Sequence, residues 1–296
     1  MIRFLVVSMC VLLTFVGAVL ASSLTILYTN DLHVRLGRLE SVTRLVEQER
    51  SKDGPVLLLD AGDTWQDFRT PLVAVWGAEE MVDWMNQVRY DAMALGNHDL
   101  YWGADQLAAL CERATFPVLC ANLLPCAGIT PPFTRYTTVS IGELDVLVVG
   151  MITSDYLPYP DFPWLRYVPP TTALQNVLDA VSERADLIVA VGHLPVEEAA
   201  RIVQTVPEVD VFLTGHSHEM TVEPVQAGKT LIVQAGEFGQ FLGRLRLELD
   251  GETGDILSAT NELLPTEKSP ARLGRGMLRL VEVLVLSGIL FLVCLL

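Results

Sequence analysis

Five histidines are all this chain contains, at positions 33, 98, 193, 216 and 218, and each lies in a loop just past a short apolar run. Three oxygen donors accompany them: Asp31, separated from His33 by one residue, Asp63, and Asn97, which directly precedes His98. Imidazole nitrogens, carboxylate oxygens and one amide oxygen form a mixed donor set. Such a set suits borderline to hard divalent metals, with manganese, iron and zinc the expected ions. Asp31 and His33 can lean toward the same ion from an extended loop, and Asp63 has two oxygens with which to bridge two ions. Asn97 adds a neutral oxygen, while His193, His216 and His218 add nitrogens, so two metals are accommodated without any thiolate. A scattered histidine is usually a surface or satisfied core group; five placed alike read as one site.

The elements that must position these residues are visible as apolar runs. Residues 24–28 precede Asp31 and His33, 56–59 precede Asp63, 187–191 precede His193, and 211–213 precede His216 and His218. The run 92–95 enters the glycine-turned loop Leu95-Gly96-Asn97-His98-Asp99. Between these strand-like runs lie helical patterns: Leu36, Leu39, Val42, Leu45 and Val46 share one helix face, and 72–88 and 105–113 are also expected to be helical. Stretches 139–151 and 241–257 read as strand pairs broken by the hairpin-like turns Gly142-Glu143 and Asp250-Gly251-Glu252. The alternation predicts an α/β fold of stacked layers with two sheets, and in parallel sheets ligands gather beyond the carboxyl ends of the strands. All the candidate residues fall there.

Asp31-Leu32-His33, Gly62-Asp63, Gly96-Asn97-His98-Asp99, Gly192-His193 and Gly215-His216-Ser217-His218 occur in an order and rough spacing that resembles the calcineurin-like metallophosphoesterases. Tyr28-Thr29-Asn30-Asp31 and Gly215-His216 are similar to the 5'-nucleotidase branch in particular, over residues 24–265. The resemblance implies a four-layer αββα sandwich of two mixed β-sheets flanked by helices. It also implies two ions, one held by Asp31, His33, Asp63 and His218, the other by Asp63, Asn97, His193 and His216. Such an enzyme is a phosphoric ester hydrolase: the ion pair lowers the pKa of a shared water and clamps the phosphoryl oxygens for in-line attack. His98 is then the general acid or charge stabiliser.

Departures from the branch are equally specific. Its members resemble one another in carrying an acid three residues after the loop histidine, where this chain has Tyr101, and a glycine after the first histidine, where it has Val34. Val34 is therefore expected to tighten the mouth of the site. Secreted members stack the substrate base in a second, carboxy-terminal domain. The segment 154–165 with Tyr156, Tyr159, Phe162 and Trp164 is the candidate substitute, although a packed surface loop is the favoured reading, since aromatics pack more often than they bind; Asn97, His98, Tyr156 and Tyr159 are the substrate-binding candidates. The missing acid also favours a second function class, a degenerate member that binds phosphate compounds or a partner without turnover. Hydrolysis of sulfur compounds, seen in a related branch, goes with an altered Asn-His loop, and Asn97-His98 are intact.

A formal net charge of −16 argues against a nucleic-acid polymer as partner and leaves a small phosphate ester, whose charge the ions would balance. At the amino terminus Arg3 and the apolar stretch 4–20 read as a signal peptide over 1–21, with small residues before Ser22 for cleavage. The catalytic domain is expected at 22–265, a polar linker at 266–280, and an apolar segment at 281–296 that is either a membrane segment or an anchor-attachment signal. Together these predict an exported, membrane-attached protein. Cys111, Cys120 and Cys126 allow one disulfide at most in the exported domain, Cys120 and Cys126 being the closest pair in sequence.

Overall fold

The structure is a computed structural model and describes residues 21–66, 71–181 and 185–268. In chain order its elements begin with β1 (Ala21–Thr29), α1 (Leu39–Arg50), β2 (Val56–Asp60), α2 (Pro71–Val88), β3 (Ala92–Ala94), α3 (Ala104–Arg113), β4 (Val118–Leu119) and β5 (Leu123–Pro125). There follow β6 (Tyr136–Ile141), β7 (Leu144–Ile152), β8 (Leu165–Tyr167), α4 (Pro170–Ala180), β9 (Leu187–His193), α5 (Val196–Thr205) and β10 (Val211–Thr214). Last come β11 (Val225–Ala227), β12 (Thr230–Val233), β13 (Phe241–Asp250) and β14 (Ile256–Pro265).

Two six-stranded mixed sheets result, in the orders β14-β13-β1-β2-β3-β4 and β11-β12-β10-β9-β7-β6. In the first, β1 through β4 are parallel and the β13–β14 hairpin adds antiparallel to β1. In the second, β7, β9, β10 and β12 are parallel. Strand periodicity explains the layering. Along β2, Leu57 and Leu59 face the second sheet while Leu58 faces helices, so the run is apolar throughout because both its faces are covered.

Between the sheets lie Ile26, Tyr28, Leu57 and Leu59 of the first against Val148, Val189, Val191 and Leu213 of the second. Helices α1, α2 and α3 cover the outer face of the first sheet through Val42, Val46, Met81, Met85 and Leu107. Helices α4 and α5 cover the second through Leu174, Val177, Ile202 and Val203. At about 1.5–3 kcal/mol for each fully buried large aliphatic side chain, these three layers of contact hold the helix–sheet–sheet–helix stack expected from the sequence. Both expected hairpin turns, at Gly142-Glu143 and after Asp250, are present.

Cys111, Cys120 and Cys126 are all free thiols. Cys120 is buried in the helix-side core, where burial pushes its thiol up to about 12, whereas Cys126 is exposed. Sequence proximity did not make them a pair. Nearly all of the expected signal peptide, most of the expected polar linker and the whole of the expected carboxy-terminal apolar segment fall outside the described residues, and Ala21 already belongs to β1. Among the described residues no helix is long and apolar enough to cross a membrane.

Candidate metal centre

Parallel strands from both sheets end at one edge of the molecule, and the loops beyond them meet there. The loops after β1 and β2 run side by side: the Asp31 N–H donates to Gly62 O (2.8 Å) and the His33 N–H to Asp63 O (2.9 Å). Asn30 ties this pair to the second sheet, donating from Nδ2 to Gly236 O (2.6 Å) and accepting at Oδ1 from the Ala235 N–H (2.9 Å). His193 is the last residue of β9 rather than part of the loop beyond it, because the β7–β9 ladder continues to Ile152 and His193. His98 begins a short 3-10 turn, His98–Leu100.

The backbone is held in unusual conformations where the expected ligands lie. Asp31 (φ 51°), His33 (φ 47°), Asp63 (φ 55°), His216 (φ 71°) and His218 (φ 58°) all occupy the left-handed region. Each such residue costs on the order of 1 kcal/mol or more and persists only where its surroundings over-determine it, as at ligand clamps. Glycine permits the closest approaches. A Cβ on Gly96 would lie 2.1 Å from Asp63 Oδ1, and one on Gly215 would lie 2.8 Å from both Ala61 O and His193 Nδ1.

Side chains then converge. Asp31 Oδ1 is 3.1 Å from His218 Nε2, 3.7 Å from His33 Nε2 and 4.0 Å from His193 Nε2. Asp63 Oδ2 is 3.1 Å from His193 Nε2 and 3.9 Å from both His33 Nε2 and His98 Nε2. Donor atoms of Asp31, His33 and His218 lie within 4.8 Å of one another, and so do those of Asp63, His193 and His216. The far oxygens are already used: Asp31 Oδ2 accepts from Asn30 Nδ2 (2.7 Å) and the His216 N–H (3.0 Å), and Asp63 Oδ1 accepts from the His98 N–H (2.8 Å).

Four ring nitrogens are tethered from behind. His33 Nδ1–H donates to Gln66 O (3.0 Å), His193 Nδ1–H to Ala61 O (2.9 Å), His98 Nδ1–H to Gln66 Oε1 (3.0 Å), and His218 Nδ1 pairs with Glu237 Oε2 (2.7 Å). Tethering Nδ1 fixes the tautomer and turns Nε2 inward, as at metal-bound histidines. Among the described residues six buried side-chain nitrogen or oxygen atoms lack a hydrogen-bond partner, and four of them are Asp31 Oδ1, His33 Nε2, Asn97 Oδ1 and His193 Nε2. Orphaned atoms of this kind cost about 1–3 kcal/mol each unless something binds them. Their chemistry fits divalent ions.

Charge balance agrees. Burial alone would raise Asp31, but the His193 imidazolium and the close His218 and His33 rings outweigh it and hold the carboxyl well below its usual range. Burial would lower His193, yet the Asp63 and Asp31 carboxylates raise it to about 10. In the metal-free chain a proton on His193 thus offsets charge of the two buried carboxylates.

The remaining predicted residues divide. Tyr156 is exposed, with its ring centroid 6.4 Å from that of His216, so it overlooks the centre. Tyr159 begins the 3-10 turn Tyr159–Asp161, and its side chain lies outside what is described. Phe162 is buried and packs edge-to-face with Trp164 (centroids 5.9 Å apart) in the helix-side core, so this part of the aromatic segment packs. Val34 is buried as well. It fills the space over Gly77 of α2, where an added Cβ would meet Val34 Cγ1 at 2.2 Å, and therefore does not narrow the mouth.

Sequence reasoning missed the acids beneath the site. Asp99 accepts from the N–H groups of Asp63 (2.9 Å), Thr64 (3.0 Å), Trp65 (2.8 Å) and Gly96 (2.9 Å), binding the two central loops together. Asp60 accepts from Thr29 Oγ1 (2.6 Å), Thr64 Oγ1 (2.8 Å) and the Gly62 N–H (3.0 Å). Burial pushes both carboxyls up to about 7. An acid directly after an apolar run, Leu59-Asp60, was the available signal; Gln66 and Glu237 carried none.

A family model for calcineurin-like phosphoesterases matches residues 24–220, and the chain belongs to that family. Human 5'-nucleotidase is 36% identical over 296 residues, covering 84% of this chain and 51% of the human protein. Among solved structures, a 5'-nucleotidase precursor from Thermus thermophilus superimposes with a TM-score of 0.76 at 23% identity, covering 90% of this chain and 59% of that one. The sulfate thiohydrolase SoxB of Thermus thermophilus does so with a TM-score of 0.73 at 22% identity, over 82% of this chain and 57% of its own. These structural likenesses concern the fold. The chain spans about half the length of the curated relatives it matches.

Proposed function

We propose that this chain hydrolyses small phosphate esters, nucleotides among them, using two divalent ions and acting outside the cytoplasm. The single observation that carries the reading is that His33 Nε2 and His193 Nε2 both lie within 4.0 Å of Asp31 Oδ1 and Asp63 Oδ2, while Asp31 Oδ1, His33 Nε2, His193 Nε2 and the neighbouring loop's Asn97 Oδ1 are buried without hydrogen-bond partners. Asp31, His33 and His218 would hold one ion, Asn97, His193 and His216 the other, and Asp63 would serve both. When bound, such ions supply Lewis acidity, activating water and neutralising phosphoryl charge.

The chain's own residues do the rest. Because the Nδ1–H of His98 is engaged with Gln66, its Nε2 faces the cluster, on the side of Asp63 Oδ2, and can hold a proton for the departing ester oxygen. Leu32 and Trp65, within the loops that carry Asp31 and Asp63, are fully buried. Tyr156, exposed beside His216, offers one ring to a substrate's organic group. Export and membrane attachment belong to the same reading and rest on the apolar runs near each terminus.

Purified full chain assayed with manganese against AMP, p-nitrophenyl phosphate and its bis ester tests the proposal. Turnover of a monoester, abolished by chelation and restored by metal, is expected. Metal binding without hydrolysis of any of the three would instead support a binding protein.

A further inference from the structure

The position at which an orienting acid is expected for His98 holds Tyr101, and Tyr101 has other work: its hydroxyl donates to Tyr156 O (2.8 Å), pinning the loop that carries Tyr156 and Asp155 beside His216. Asp99, next in sequence to His98, is also committed, with both oxygens taken by backbone N–H groups. Gln66 takes the vacated role. It is buried, at 6% exposure, just beyond the loop of Asp63, and its Oε1 lies 3.0 Å from His98 Nδ1. An amide oxygen only accepts, so the proton of His98 must sit on Nδ1 when the ring is neutral. The same residue's backbone carbonyl accepts from His33 Nδ1 (3.0 Å), so one residue aims a ligand through its main chain and His98 through its side chain.

We propose that Gln66 is the positioning residue of His98, replacing the acid absent at Tyr101 with a neutral acceptor supplied from a different loop. The inference rests on the proposed hydrolase reading for its kinetic test, but its structural half does not. A carboxamide fixes the ring's tautomer and direction without placing a negative charge behind it. Its loss should therefore matter most where the leaving oxygen needs a proton.

The test uses the full chain as parent, Gln66→Leu, Gln66→Glu and His98→Ala. Gln66→Leu removes only the side-chain acceptor and keeps the carbonyl that His33 uses. On AMP, whose leaving group is a basic alkoxide, this variant should lose about 10–100-fold in kcat, the usual cost of deleting an orienting partner. On p-nitrophenyl phosphate, whose phenolate leaves unaided, the loss should stay below about threefold. Manganese content should be unchanged, and Gln66→Glu, which keeps an acceptor, should recover most of the loss. His98→Ala separates the two readings: if it shows no leaving-group dependence, His98 is not the proton donor and the hydrolase mechanism is what fails. If His98→Ala shows the dependence and Gln66→Leu does not, the Gln66 proposal is overturned.

A second readout needs no turnover. With five histidines in the chain, nitrogen-15 NMR of the zinc-loaded protein can resolve the His98 ring. The Nδ1–H tautomer is expected in the parent and in Gln66→Glu, and a mixture in Gln66→Leu. An unchanged tautomer in Gln66→Leu would overturn the proposal whatever the kinetics.

Discussion

Two tiers of buried acid lie one beneath the other at the ends of the strands, and they keep different company. In the lower tier Asp60 and Asp99 are surrounded by hydroxyl and N–H donors from the chain itself. In the upper tier Asp31 and Asp63 each commit one oxygen to the chain and turn the other toward imidazoles. All four carboxyls are equally buried. What separates scaffold from ligand is therefore the bookkeeping of oxygens, not burial: a fully satisfied acid holds loops together, and a half-satisfied one waits for a cation.

Substitutions should split along that line. The largest effect on function is expected from Asp63→Asn, because Asp63 is the residue proposed to serve both ions. Elemental analysis should find most metal gone and hydrolysis lost. Full metal occupancy in Asp63→Asn would break the division. Asp99→Ala should do the reverse. Leaving four buried N–H groups without an acceptor should cost about 3 kcal/mol or more of stability, visible in the metal-free protein by chemical denaturation. Stability equal to the parent would show that the lower tier is not a scaffold.

Smaller effects sharpen the contrast. Manganese at about 100 times its dissociation constant should stabilise the parent by about 2.7 kcal/mol and leave Asp63→Asn nearly unmoved, as read from thermal melts. Loading should also release protons. His193, raised to about 10 in the metal-free chain, is protonated at neutral pH and must become neutral to bind a cation. Affinity should thus climb as pH rises from about 6 to about 8, by up to about tenfold per unit for one displaced proton, and calorimetry in buffers of different ionisation enthalpy should detect the release. Affinity that is flat with pH would mean that no proton leaves His193 on loading. The least effect is expected at Tyr156→Ala, a few-fold rise in KM for a nucleotide, with kcat kept.

The upper tier was legible in the sequence because ligands must be particular residue types and because each follows a strand that is apolar on both faces. Leu57-Leu58-Leu59 before Asp60-Ala61-Gly62-Asp63 shows both signals at once. The stack of layers was legible for the same reason, since periodicity marks strand and helix before any contact is known. The lower tier was not. Asp99, Gln66 and Glu237 act through contacts that the fold creates, and no spacing in the chain announces that Asp99 will collect N–H groups from a loop more than thirty residues earlier. Direction was equally hidden: adjacency to His33 suggests that Val34 narrows the mouth, but its left-handed backbone (φ 56°) turns it toward α2. The aromatic segment 154–165 divided for a similar reason, Phe162 and Trp164 finding core partners while Tyr156 did not.

The central claim, that two cations sit between the sheets and share Asp63, is tested most directly by anomalous scattering from crystals of the full chain grown with manganese. Two peaks are predicted, one beside Asp31 Oδ1 and His218 Nε2, the other beside Asn97 Oδ1 and His193 Nε2, with an oxygen of Asp63 near both. A lone peak away from Asp63, or none within this cluster, would contradict the account.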